Sequence, residues 1–152
     1  MSESDSNAGP GGSRLTAADV LRALRRGKPI AFRDISVTRA HVQGKALNFC
    51  WRHRKDTIQA HNRKGLFYEA DELDLIAKHF PAGGVFVDIG ANVGNHSLFV
   101  AKFLSPQRVI PVEPNPEIID LLLANIVLND VVDRFDLSCI GIGASDAAGD
   151  GF

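Results

Sequence analysis

The stretch "VFVDIGANVGNHS", residues 85–97, ends an apolar run on a carboxylate, Asp88, and follows it with Gly90, Asn92 and Gly94. Small residues at that point let the backbone turn sharply and let a ligand or a helix start come close, and Asn tolerates the left-handed conformation between them. A second acid, Glu113, closes the run "RVIPVE" 23 residues after Gly90. At that offset an acidic side chain accepts hydrogen bonds from both hydroxyls of an adenosine ribose. The chemistry on offer is therefore the binding of an adenosine-type cofactor.

The loop decides between cofactors. A dinucleotide fingerprint places glycines at its first, third and sixth positions, and counting from Gly90 gives Gly90, Asn92 and Asn95, so two of the three fail. A phosphate-binding loop needs Gly-Lys-Ser or Gly-Lys-Thr at the helix start, and the chain has neither there. Asp88 beneath the loop would repel a pyrophosphate but suits a ligand with an ammonium group or hydroxyl donors. S-adenosylmethionine carries that ammonium, and its sulfonium adds a second positive charge.

Strands and helices of matching length position these residues. Val85 to Ile89 reads as a strand, His96 to Leu104 as a helix stopped by Ser105-Pro106, and Arg108 to Glu113 as a second strand. Asn115 is a natural N-cap with Pro116 at the first helical position, opening the apolar helix "PEIIDLLLANIVLN", and Phe135 to Ile142 reads as a third strand. This alternation implies βαβ units and a Rossmann-like parallel sheet in an α/β fold. Upstream, a short helix is expected from Ala17 to Arg26, an antiparallel hairpin around Gln43-Gly44 with "KALNFCW" as one strand, and a helix through Leu73, Ile76, Ala77 and Phe80. The expected divisions are a disordered tail over 1–14, the helix and hairpin region over 15–80, and the cofactor-binding half over 81–152.

Composition sets outer bounds. With 152 residues, 45% hydrophobic and 23% charged, the chain has apolar material for a globular core. A formal net charge of -1 gives no global reason for a nucleic-acid or membrane-surface partner, and the one basic run, Arg52-His53-Arg54-Lys55, reads as a solvated strand end. Cys50 and Cys139 read as free thiols of a reducing cytoplasm, and the N-terminus lacks a secretory pattern. No histidine or cysteine spacing supports a metal site. Pro111 inside a strand lacks a ladder donor, which implies a bulge or an unpaired side there.

Together "VDIGANVGNHS", "VIPVEPNPE", "NIVLND" and "GASDAAG" resemble the FkbM-type S-adenosylmethionine-dependent methyltransferases, a branch of the class I fold. The resemblance runs from about Tyr68 to Gly149. It implies that Asp88 approaches the methionine ammonium directly or through water and that Gly90, Ala91, Asn92, Gly94 and Asn95 line the cofactor. It further implies that Glu113, with Pro114 and Asn115, holds the ribose, and that Ala144-Ser145 lies near the adenine. The acceptor implied is a hydroxyl of a sugar-like or other small molecule, with no nucleic-acid and no membrane partner. In the class I strand order the strand at Val85 to Ile89 would pair with a fourth strand, so here it becomes an exposed apolar edge through which the chain could self-associate. No residue presents itself as a general base.

Two other classes compete with this reading. One is a binding module that keeps the cofactor site without transfer chemistry; the other is a nicotinamide-dependent oxidoreductase, against which the failed fingerprint counts. Titration calorimetry should show S-adenosylhomocysteine binding more tightly than NAD. The opposite order would return the chain to the oxidoreductases.

Overall fold

The computed structural model describes residues 22–23, 26–28 and 30–143. The expected tail over 1–14, most of the helix expected at Ala17 to Arg26, and Ala144-Ser145 lie outside the described residues.

Strand β1 (Ser36–Val42) and strand β2 (Lys45–Trp51) form an antiparallel hairpin in which Val42 pairs with Lys45. Its two central residues, Gln43 and Gly44, both take positive φ, 48° and 77°, as a two-residue turn matched to strand twist requires. Helix α1 (Thr57–Asn62) follows, capped by Asp56, whose Oδ1 accepts from the Gln59 amide at 2.8 Å. Helix α2 (Ala70–His79) stops at Phe80, ahead of Pro81.

Strand β3 (Val85–Ile89), helix α3 (Asn95–Phe103), strand β4 (Arg108–Val112) and helix α4 (Pro116–Leu128) are the expected βαβα succession. β3 and β4 pair in parallel, Asp88 opposite Pro111. Among the described residues β3 has no other strand partner, and Val85, Val87 and Ile89 stand exposed. They alternate along the strand, so the bare surface is one face of β3 as well as its edge.

The third strand expected at Phe135 to Ile142 is not a continuous ladder. The structure has a 3₁₀ turn at Val132–Arg134 and then two isolated parallel bridges, Val109 with Phe135 and Glu113 with Ile140. The carbonyls of Val109 and Glu113 accept from Asp136 and Gly141 at 2.8 Å each. Residues alternate in the direction of their backbone groups, so Pro111, midway between them, turns toward the same third segment. It has no N–H to donate there, and the ladder breaks between the two bridges.

α4 is buried on nearly every side; Leu121, Leu122, Leu123 and Ala124 are all fully inaccessible. The sheet covers one flank and the hairpin the other. One core joins Leu47 and Phe49 of β2 to Leu98 and Phe99 of α3 and to Leu122, Leu123 and Ile126 of α4. Phe67 adds edge-to-face contacts to Phe49 at 5.0 Å and Phe99 at 5.5 Å. Among the described residues no helix is long and apolar enough to cross a membrane.

The outer edge of β2 is closed by side chains. Asn129 Oδ1 accepts from the Asn48 amide at 2.9 Å and its Nδ2 donates to the Asn48 carbonyl at 2.7 Å. One turn earlier, Asn125 Oδ1 accepts from the Cys50 amide at 2.8 Å while its Nδ2 donates to the Val93 carbonyl at 2.7 Å. Burial around this seam pushes the Cys50 thiol up to about 12, so it stays a neutral packing group. Asn125→Leu would orphan a buried donor and a buried acceptor. At about 1–3 kcal/mol for each group, urea unfolding should register a loss of roughly 2–6 kcal/mol. A loss below about 1 kcal/mol would mean that water reaches the seam.

Candidate functional site

The first carboxylate serves a helix that cannot cap itself. The N-cap of α3 is Gly94, at φ 85°, which has no side chain to accept from the first-turn amides. Asp88 supplies the missing acceptor from the end of β3: its Oδ2 takes hydrogen bonds from the Ser97 amide at 3.0 Å and the Ser97 hydroxyl at 2.6 Å. Oδ1 makes no hydrogen bond among the described residues. Asp88 is thus anchored through one oxygen and keeps the other as a free acceptor beside the loop.

The second carboxylate ties two loops together. Glu113 is buried; its Oε2 accepts from the Asn92 amide at 2.7 Å and its Oε1 from the Asn115 amide at 2.8 Å. The loop is held to β4 a second time where Val112 O accepts from the Gly90 and Ala91 amides at 2.9 and 3.0 Å. Both acids are therefore buried with amide and hydroxyl donors around them and no cation in contact among the described residues. Such a place favours an incoming group that is positively charged or rich in hydroxyl donors.

The loop residues divide by task. Gly90 sits at φ 78° with open space where a Cβ would project, which leaves room for a ligand against the backbone. At Gly94 a Cβ would lie 2.6 Å from Leu122 Cδ1, so this glycine permits the close approach of α3 to α4. Asn92 is left-handed at φ 51°, as its residue type allows, and its Oδ1 accepts from the Val93 amide at 2.8 Å. Ala91 is buried.

Other expected site residues are engaged in the scaffold. Asn95 exchanges two hydrogen bonds with the backbone of Tyr68, at 2.9 Å each, and so fastens the segment ahead of α2 to the start of α3. Asn115 is the N-cap of α4, accepting from the Glu117 amide at 2.9 Å. Pro114 lies against Gly143. Ser145 falls outside the described residues.

Sequence reasoning passed over Ser97, Glu69 and Asn125. The nine-residue spacing from Asp88 to Ser97, with a glycine in the capping position, was the available signal for the first. Glu69 adopts φ 56° and brings its Oε2 within 3.3 Å of His96 Nε2, a proximity with no sequence signature. A cleft of about 400 Å³ lined by His61, Phe67, Glu69, Leu73 and Phe99 lies on this side of α3, and none of the residues from Gly90 to Gly94 lines it.

Comparison with known proteins gives this geometry a family. The model of the TRM5/TYW2 methyltransferase domain matches residues 64–140. The methyltransferase sdnD of Sordaria araneosa is 31% identical over 71 residues, which is 47% of this chain and 27% of that protein. The structure of M. jannaschii TYW2 in complex with AdoMet aligns with a TM-score of 0.51 at 22% identity, over 74% of this chain and 47% of that one. The complex of aTrm5 and tRNALeu aligns with a TM-score of 0.49 at 20% identity, over 80% of this chain and 32% of that one. The chain thus spans between about a quarter and a half of the proteins it matches.

The fold is that of class I methyltransferases, as the motif resemblance implied, and the strand and helix pattern had implied its Rossmann-like parallel sheet. The branch matched is TRM5/TYW2, where the sequence motifs resembled the FkbM type. One expectation is overturned: the absence of a nucleic-acid partner, argued from a net charge near zero, does not hold against the match to the TRM5/TYW2 methyltransferase domain. Net charge is a sum and says nothing of where the charges lie.

Because Glu113 accepts from two loop amides, it is a structural group whatever else it binds. Glu113→Ala should lower unfolding free energy in urea by about 1–3 kcal/mol, the cost of leaving two part-buried amides without their acceptor, and Glu113→Gln, which keeps one acceptor oxygen, by less. Equal stability of all three proteins would show that the Asn92 and Asn115 amides find water instead.

Proposed function

The chain belongs to the TRM5/TYW2 methyltransferase domain family, whose cofactor is S-adenosylmethionine, and from that premise we propose that it is the cofactor-binding part of a methyltransferase acting on RNA. The observation that carries the reading is the pair of buried acids at the ends of adjacent parallel strands, Asp88 and Glu113, spanned by a loop with open space at Gly90.

The residues present fit the cofactor. Asp88 Oδ1, held in place because Oδ2 is fixed to Ser97, faces the need of an ammonium group for a charged acceptor. Glu113 holds its oxygens at the end of β4, where each retains a lone pair for a ribose hydroxyl beside the amide it already accepts from. The backbone of Gly90 to Gly94 lines the remaining side. S-adenosylmethionine supplies an electrophilic methyl group on sulfur. The chain's contribution is to fix that group's direction and to keep water from the loop, and the rate gain from such positioning comes from orientation rather than from proton transfer.

An RNA acceptor is supported by the family, and it displaces the sugar-like hydroxyl that the FkbM resemblance implied. The full chain should transfer tritiated methyl groups from S-adenosylmethionine to tRNA and should bind S-adenosylhomocysteine. Asp88→Asn should weaken S-adenosylhomocysteine by about ten- to a hundredfold, the worth of a hydrogen bond to a charged group, and leave adenosine binding nearly unchanged. Glu113→Gln should weaken both ligands. Cofactor binding without methyl incorporation into any RNA would favour the binding module without transfer chemistry. Undiminished affinity in both variants would remove the two acids from the site.

A further inference from the structure

The formal charge of -1 conceals a separation of charge along the chain. Residues 14–64 contain thirteen Lys and Arg against three Asp, whereas residues 65–152 contain four Lys and Arg against thirteen Asp and Glu. The stretch that holds the hairpin and α1 is strongly cationic and the stretch from Gly65 onward strongly anionic. Charge asymmetry of this size between parts of one chain is a recognised sign of a polyanionic partner.

The basic run Arg52-His53-Arg54-Lys55 has the most built surroundings of these cations. Arg52 is its anchor. Its Nη2 pairs with Asp120 Oδ2 at 2.5 Å and donates to the Arg33 carbonyl at 3.2 Å, and its Nη1 donates to the Glu117 carbonyl at 3.1 Å. These contacts fasten the loop to the first turn of α4, which begins immediately after Asn115, two residues beyond Glu113. Gln59, fully buried, clips the loop from the other side: its Oε1 accepts from the amides of Arg52 and His53 at 2.8 Å each. Asp56 closes the loop as the cap of α1.

Held this way, His53, Arg54 and Lys55 project into solvent, and Arg33 stands exposed beside them. Among the described residues no carboxylate pairs with Arg33, Arg54 or Lys55, because Asp120 is taken by Arg52 and Asp56 by the helix cap. Asp34, next to Arg33 in the chain, is exposed in the same neighbourhood. The arrangement is a rigid loop of unneutralised cations at the cofactor end of the sheet.

We propose that Arg33, His53, Arg54 and Lys55 form a docking edge for the phosphate backbone of the RNA acceptor. The inference rests on the RNA reading above and adds the surface that reading lacks. Phosphate contacts of this kind fix register and orientation without reading sequence. They also make affinity fall with salt, by close to one unit of logarithmic slope for each contact.

An unmodified tRNA transcript is the probe. Its affinity for the full chain is measured by fluorescence anisotropy across a salt series, for the wild type, for the triple variant Arg33→Ala, Arg54→Ala, Lys55→Ala, and for Lys78→Ala, which removes one exposed cation from the last turn of α2. The triple variant should bind at least tenfold more weakly with a salt slope shallower by about two to three, while its affinity for S-adenosylhomocysteine stays at the wild-type value. Lys78→Ala should behave as wild type. Unchanged RNA affinity and slope in the triple variant would overturn the docking edge and leave the RNA acceptor standing. A wild type that binds phosphatidylserine vesicles but no RNA would overturn both.

Discussion

A buried amide on α4 holds the two parts of the molecule in one geometry. Asn125 accepts from β2 through its oxygen and donates to the loop after β3 through its nitrogen, so the hairpin edge and the loop at Val93 share one side chain. Asn129, a turn later, repeats the contact on β2 with both of its polar atoms. A strand edge normally finds another strand; here a helix presents carboxamides at the same spacing and does the same work. Without that seam Leu121 and Ala124, which pack beside Cys50 on this flank of α4, would face water.

Much of this architecture was legible in the residues because local signals and the fold agreed. The apolar run at Val85 to Ile89, the Asn115-Pro116 helix start and the Gln43-Gly44 turn each specify an element with little help from elsewhere. The signals failed where a residue's meaning depended on a distant partner. Asn125 and Asn129, four apart on a helix, look like ordinary surface polar residues, and only the hairpin lying over them makes them buried. Pro111 announced an unpaired side, but which neighbour would lose its ladder depended on the direction its backbone faced.

The site shows the same division. Asp88 and Glu113 were singled out as cofactor contacts from type and spacing, and the structure gives each a duty in the scaffold that the sequence does not disclose. Asp88 stands in for a cap that Gly94 cannot provide, and Glu113 joins the loops on either side of it. On the function proposed above, the same two carboxylates would serve the cofactor and the scaffold, through different oxygens in the first case and different lone pairs in the second. Reading the charge as a single total concealed the other informative feature, since the cationic stretch up to Lys64 and the anionic stretch after it cancel on paper while staying separate along the chain.

The seam also sets an order of events during synthesis. Asn48 meets Asn129 across 81 positions of chain. A ribosome adding about 5–20 residues per second needs several seconds to deliver the second residue after the first. Hairpins close in microseconds, so β1 and β2 are free to pair and then to wait with one edge bare, at the stage when a nascent chain is most exposed to its neighbours. Arg39 and Lys45 on that waiting hairpin carry like charge, and like charge discourages two such edges from meeting. Like charge on the hairpin therefore works against edge-to-edge pairing of unfinished copies until α4 emerges to close the seam.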